Sequence, residues 1–209
     1  MKATRRIVLL CLVATMVLSL ASTGTALATG STSLCKENKT PCPEAQRYPA
    51  GTFVETSALF PKILGTFFGL TAAVECSSST IVGITETKVG TPLPMSTFKW
   101  SFFACKSSFG GECSVVPEHL SRFLLLRTAA NLGTLSSSLN QLRVDCNGFP
   151  EIHCTVGGLP QMHAEGSPFA EFTASNAVLT ALSGSSCPAK PTLDALYRIN
   201  SPFNVFISS

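Results

Sequence analysis

Apolar and polar positions alternate with a period of two near the end of the chain. Leu193, Ala195, Tyr197 and Ile199 fall on one side of an extended segment, and Asp194, Arg198 and Asn200 fall on the other, with Leu196 out of phase. This is the pattern of a strand with one buried face. Phe203, Val205 and Ile207 continue the alternation beyond Ser201-Pro202, which reads as a turn or strand break. Earlier in the chain, short runs rich in Val, Ile, Phe and Thr are bounded by Gly, Pro, Ser and Asn clusters. Strands are predicted over 71–76, 80–87, 97–103, 152–156, 177–182, 193–200 and 203–207. Many short strands without an intervening helical pattern predict an all-β fold, a single antiparallel β-sandwich or barrel-like domain.

Two stretches have competing readings. Over 117–130, Pro117, Leu120, Phe123, Leu124 and Arg127 match helical spacing with a proline near the start, while Arg122, Leu124 and Leu126 also fit one side of a strand. The pattern alone leaves helix and strand open. In Phe98-Lys99-Trp100-Ser101-Phe102-Phe103, alternation puts Phe98, Trp100 and Phe102 together. An exposed row of that kind could stack on sugar rings, but burial of the rings in a core strand is worth several kcal/mol and is the preferred reading.

The first 28 residues change the meaning of the composition. Lys2, Arg5 and Arg6 precede an apolar run over 7–21, and Ala26-Leu27-Ala28 ends it with small residues at the cleavage positions, which is the pattern of a secretory signal peptide. The run is too short for a membrane-spanning helix, which needs about 20 apolar residues. Cys11 follows Leu10 inside the run, does not fit a lipoprotein site, and leaves with the leader. The predicted organisation is a signal peptide over 1–28, an irregular lead over 29–51 rich in Pro and Gly at its end, and a β domain over 52–209 with no later membrane span. Of the 15 basic residues three lie in the leader, so the mature chain balances its 12 acidic ones. A neutral chain without a Lys/Arg cluster lacks the footprint of nucleic-acid binding.

Eight cysteines remain, Cys35, Cys42, Cys76, Cys105, Cys113, Cys146, Cys154 and Cys187, an even number in an exported chain. Three pairs are close in sequence around turn-forming residues, so the spacing predicts Cys35–Cys42, Cys105–Cys113 and Cys146–Cys154. Elimination leaves Cys76–Cys187, which would tie the start of the domain to its end. A metal site built from these thiols with His119, His153 and His163 would need ligand pairs such as CxxC or HxxxH, and the chain has neither. No cofactor is expected. His153, beside Cys154, reads as a strand residue facing away from the bridge.

Signatures that place a nucleophile or a phosphate are missing: GxSxG, GxxxxGK, HExxH and GxGxxG do not occur. A scattered hydrolytic site would draw on His119 or His163 as base, Asp145 or Asp194 as orienting carboxylate and a serine, and a paired-carboxylate site on Glu151 with Glu165 or Glu171. Nothing in the sequence fixes either geometry, and no catalytic residue is assigned. Asn38-Lys39-Thr40 fits the N-glycosylation acceptor pattern.

Several stretches together resemble a family of uncharacterised secreted, cysteine-containing β-rich proteins of soil actinobacteria. They are Leu34-Cys35 to Pro41-Cys42, Arg47-Tyr48-Pro49-Ala50-Gly51-Thr52, Val74-Glu75-Cys76 with Ser79-Thr80-Ile81-Val82-Gly83, the isolated Cys105, Cys113, Cys146 and Cys154, and Cys187-Pro188 with Asp194-Ala195 and Tyr197 to Pro202. The resemblance spans nearly the whole mature chain and implies an all-β exported domain; it carries no activity, substrate or site residues. The Leu-rich stretch 120–142 departs from the more Gly/Thr-rich pattern of that family, which favours strand there. The expectation is therefore a non-enzymatic binding or structural module, secreted or associated with the cell envelope, whose ligand is a carbohydrate or a protein. A secreted hydrolase and a secreted inhibitor or toxin-like protein are the alternatives.

Overall fold

The structure, a computed structural model, describes residues 30–67, 69–148 and 151–209; the leader over 1–28 lies outside them. Among the described residues the chain forms fourteen strands and one 3-10 turn at Glu44–Gln46. The strands are β1 (Thr32–Cys35), β2 (Phe53–Leu59), β3 (Lys62–Phe67), β4 (Leu70–Thr85), β5 (Val89–Gly90), β6 (Leu93–Ser107) and β7 (Glu112–His119). They continue with β8 (Arg122–Ala129), β9 (Leu132–Cys146), β10 (Ile152–Glu165), β11 (Glu171–Val178), β12 (Thr180–Ser183), β13 (Ala189–Ser201) and β14 (Phe206–Ser208).

Of the two architectures the sequence allowed, the chain adopts the barrel. β2 and β3 share one position between β13 and β4, interrupted at Phe60-Pro61, where Phe60 has a φ of 51° and Pro61 brings no N–H to the ladder. β7 and β8 share the position between β6 and β9, and β12 extends the position of β11 along β10. Consecutive positions pair antiparallel, β10 pairs β9, and β13 returns to β2, which closes eight positions into a barrel. Closure removes the exposed edges that an open sheet would present.

Period two explains which residues face inward. Leu193, Tyr197 and Ile199 are buried and Leu196 points out, as the alternation predicted. The interior is filled by Phe123, Leu125, Leu135, Met162, Tyr197 and Trp100, as an eight-stranded barrel has room for side chains and little else. Two of them, Trp100 and Tyr197, carry polar groups, and these are satisfied together with the buried Ser79. The Trp100 Nε1–H reaches Ser79 Oγ at 3.2 Å and Tyr197 Oη at 3.1 Å, and the two hydroxyls lie 3.0 Å apart.

The described part of the lead, 30–51, is more ordered than its composition suggests. β1 lies between β14 and β5 in a three-stranded sheet over the end of the barrel where β2 begins. Thr32 Oγ1 accepts from the Arg127 N–H at 2.9 Å, and Ile207 O accepts from Asn131 N–H at 3.1 Å, which bind this sheet to the rim.

The 117–130 stretch is strand, broken at Leu120-Ser121 into β7 and β8, so the helical spacing of its leucines was coincidental. The predicted runs 71–76 and 80–87 belong to one strand, β4, and 203–207 yields only the short β14 with an isolated bridge at Val205. Trp100 is buried and Phe102 packs against the core, but Phe98 is exposed beside Phe53, with ring centroids 6.1 Å apart. A register shift opposite Val82/Gly83 turns Phe98 away from the side its two neighbours share.

All eight cysteines among the described residues are in disulfides, and only Cys35–Cys42 follows the spacing prediction. The other three bonds are Cys76–Cys105, Cys113–Cys146 and Cys154–Cys187, in place of Cys105–Cys113, Cys146–Cys154 and Cys76–Cys187. Register is the reason. Cys76, Cys105, Cys113 and Cys146 form one row across β4, β6, β7 and β9, so Cys105 and Cys113 are neighbours yet each bonds outward along the row. Cys146 faces Ile152 while Cys154 faces Val144, so those two cysteines are offset along their hairpin and do not meet. The start of the described residues is tied to their end by the β1–β14 ladder and not by a disulfide.

Candidate functional site

The densest group of interacting ionisable side chains lies on the outer wall over β7, β9 and β10. Outward alternation on β10 puts His153 and Thr155 on one side, and His153 faces Asp145 of β9 in register. His153 Nδ1 is 3.1 Å from Asp145 Oδ1, and its Nε2 is 3.7 Å from Glu151 Oε2. Arg143 Nε donates to Asp145 Oδ2 at 2.8 Å, and its Nη1 reaches Glu118 Oε1 at 3.3 Å. Thr155 Oγ1 donates to the second oxygen of Glu118 at 3.3 Å, ending the chain of contacts.

The hydrogen bond with His153 holds the Asp145 carboxyl below the usual aspartate range, helped by Arg143. The same bond raises His153 above the ordinary histidine value, with Glu151 adding a smaller pull. An imidazole of this kind can hold or release a proton, but its Nε2 faces a carboxylate and among the described residues no hydroxyl hydrogen bond to the ring is present. Ser114 faces Asp145 from the β7 side, so the carboxylate stands between the serine and the histidine. That order is unlike a triad, in which the imidazole stands between nucleophile and carboxylate.

A proton titration of His153 followed by NMR is expected to have its midpoint above the ordinary 6.5 or so, and Asp145→Asn is expected to bring it down. The stabilisation this bond supplies is present below the unfolded-state pKa and is lost as pH rises through the raised folded-state value. A midpoint unchanged by Asp145→Asn would show that the bond does not form in solution.

The other sequence candidates are dispersed. His163 lies near the far end of β10, facing Thr134 and Thr173, and His119 ends β7 beside Ser96, Arg122 and Gln141. Asp194 accepts from the backbone N–H of Asn176 on the neighbouring strand. Glu151 precedes β10 and Glu165 ends it, about 45 Å apart at the usual rise per residue, which is too far for a carboxylate pair. Glu165 and Glu171 do face each other, but Glu171 is held by Arg198 at 2.8 Å. His153 faces outward while Cys154 is buried, as expected, although its partnership with Asp145 was missed. The turn at Asn147-Gly148 was the available signal, and the assumed Cys146–Cys154 bridge hid the register that joins Asp145 to His153. Among the described residues no group of three His, Cys, Asp or Glu side chains could hold a metal ion.

A second surface feature is apolar. Leu59 faces Ser78, and Ser78 faces Phe103, on β2, β4 and β6. Leu196 of β13 lies beside them, next to the Tyr197–Ala58 pair. Leu59 is 73% exposed, Phe60 61% and Phe103 50%, so exposed apolar side chains stand on β13, β2 and β6 on the outside of the barrel, with Ser78 of β4 between Leu59 and Phe103. Among the described residues no helix is long and apolar enough to cross a membrane. No protein-family model, curated protein or solved structure matches the chain.

Proposed function

We propose that the protein works outside the cytoplasm as a disulfide-stapled binding module that engages a cell-envelope or extracellular ligand through the outer wall of its barrel. The observation that carries this reading is the group of exposed apolar side chains Leu59, Phe60, Phe103 and Leu196 on one wall, because large apolar side chains gathered on an exposed face mark an interaction site. Four disulfides fit an oxidising compartment, and the secretory pattern of the leader supplies the route. The likeness to secreted actinobacterial proteins points the same way.

The test is co-sedimentation of the exported, oxidised protein with isolated cell envelope and, separately, with exopolysaccharide. Saturable pelleting is expected, with Leu59→Ser/Phe60→Ser weakening it by about tenfold or more. The double variant should melt close to the parent, since exposed positions tolerate such changes. Full recovery in the supernatant would remove the reading and direct attention to hydrolase and inhibitor assays.

A further inference from the structure

The two ends of the barrel are closed differently. At one end the β14-β1-β5 sheet lies across the opening, with Leu34, Val205 and Ile207 buried beneath it. The other end has no such sheet, and there the interior keeps an apolar void of about 20 Å³. Ile63, Val74, Val144, Ile152 and Val156 line it, with Cys154 among them. That is room for about one water-sized sphere, and a wall of apolar side chains offers such a water no hydrogen bonds.

Pro188 makes the void small. The residue is buried, and a β-carbon built on Gly65 would lie 2.3 Å from Pro188 Cβ, so the proline ring sits directly on the glycine backbone inside the mouth. Only a residue without a β-carbon leaves that seat open. The preceding residue, Cys187, is bonded to Cys154 in the wall of the void, which fixes the 184–188 loop over the mouth. Gly184, at the start of the loop, packs against the carbonyl of His153, where a β-carbon would lie 2.0 Å from the oxygen.

We propose that this end of the barrel is a latched site for one small apolar ligand, a hydrocarbon chain or ring, with Pro188 as the plug and Cys154–Cys187 as the latch. Eight-stranded barrels are wide enough to hold a single small ligand once their interior is not completely filled. Withdrawal of the proline ring adds its volume to the void and leaves an apolar chamber open to the medium.

A low-molecular-weight thiol opens the latch in two balanced steps. Its thiolate attacks Sγ of Cys187, the less buried of the two cysteines, forming a mixed disulfide and expelling Cys154 as a thiolate that takes a proton from water. A second thiolate attacks the outer sulfur of the mixed disulfide, releasing the oxidised thiol dimer and leaving Cys187 to be protonated. One protein disulfide is reduced and two thiol molecules are oxidised.

Benzene, its binding followed by ligand-observed NMR, tests the site on the exported protein. Pro188→Gly, with all four disulfides kept, is expected to bind one equivalent saturably and about tenfold or more tightly than the oxidised parent. Cys154→Ser/Cys187→Ser is expected to do the same, and Val156→Trp placed in the Pro188→Gly background should abolish the binding by filling the chamber. A folded Pro188→Gly protein that binds no better than the parent overturns the site, as does binding that survives Val156→Trp. Equal binding by the oxidised parent overturns the latch. If the cysteine variant does not fold, Pro188→Gly decides alone. Envelope pelleting through the outer wall should be the same in Pro188→Gly and the parent, so the two proposals fail separately.

Discussion

Tyr197→Ala is expected to destabilise the barrel by about 3–5 kcal/mol, the range for removing a large ring from a packed core. Tyr197 is fully buried, and its hydroxyl meets both Ser79 and Trp100. Tyr197→Phe separates the ring from the hydroxyl. It keeps the volume and leaves Trp100 Nε1 donating to Ser79 at 3.2 Å, so the cost is expected to be only about 1 kcal/mol. Urea unfolding with an unchanged denaturant slope measures both. A Tyr197→Phe variant as unstable as Tyr197→Ala would show that the hydrogen-bonded triangle, and not the ring, holds the interior together. Alkaline pH tests the same group another way. Burial pushes the Tyr197 phenol up to about 12 from its ordinary 10. A raised folded-state pKa means that stability is intact below about pH 10 and falls as the unfolded chain ionises first. The loss should reach roughly 2 kcal/mol by pH 12. Tyr197→Phe should remove most of this slope, leaving what Tyr48 contributes, the chain having two tyrosines.

The period-two alternation of residues 193–200 made the strand class legible, because Leu193, Tyr197 and Ile199 on one face of β13 are buried and Ala195 between them is half-buried. Closure was not legible, because it depends on β13 meeting β2 and β3 from the other end of the domain, a pairing that no local pattern reports. β1 was missed for a different reason. Thr32 and Ser33 look like surface residues, yet both are fully buried, since their hydroxyls find partners at Arg127 and Ser208. β9 was missed because Ser137 and Asn140 face the interior of a strand whose pattern is otherwise broken by serines. The site residues fared similarly. Asp145 and His153 were each noticed, but two residues of register decide whether they meet, and composition does not encode register.

The row of cysteines gives the last expected result and the most direct test of that register. In the chain-entropy model, removing Cys113–Cys146, which spans 33 residues, costs about 4 kcal/mol, and removing Cys35–Cys42, which spans 7, costs about 2 kcal/mol. Cys113→Ser/Cys146→Ser should therefore melt below Cys35→Ser/Cys42→Ser by about 3–6 °C. Cys76–Cys105 spans 29 residues that do not overlap the 113–146 loop. Each bond restricts a separate part of the unfolded chain, so their losses should add to about 7 kcal/mol. That sum is comparable with the whole stability of an ordinary domain, and the quadruple variant is expected to be largely unfolded at 37 °C. The spacing-based pairing makes a different prediction. If Cys105 were bonded to Cys113 and Cys76 to Cys187, Cys76→Ser and Cys105→Ser would break different crosslinks and their effects would add. With Cys76 bonded to Cys105 the double variant should be no less stable than the worse single one, because the second substitution only removes a thiol already left unpaired. Non-reducing peptide mapping that joins Cys76 to any residue but Cys105 would overturn the row and the barrel register on which it stands.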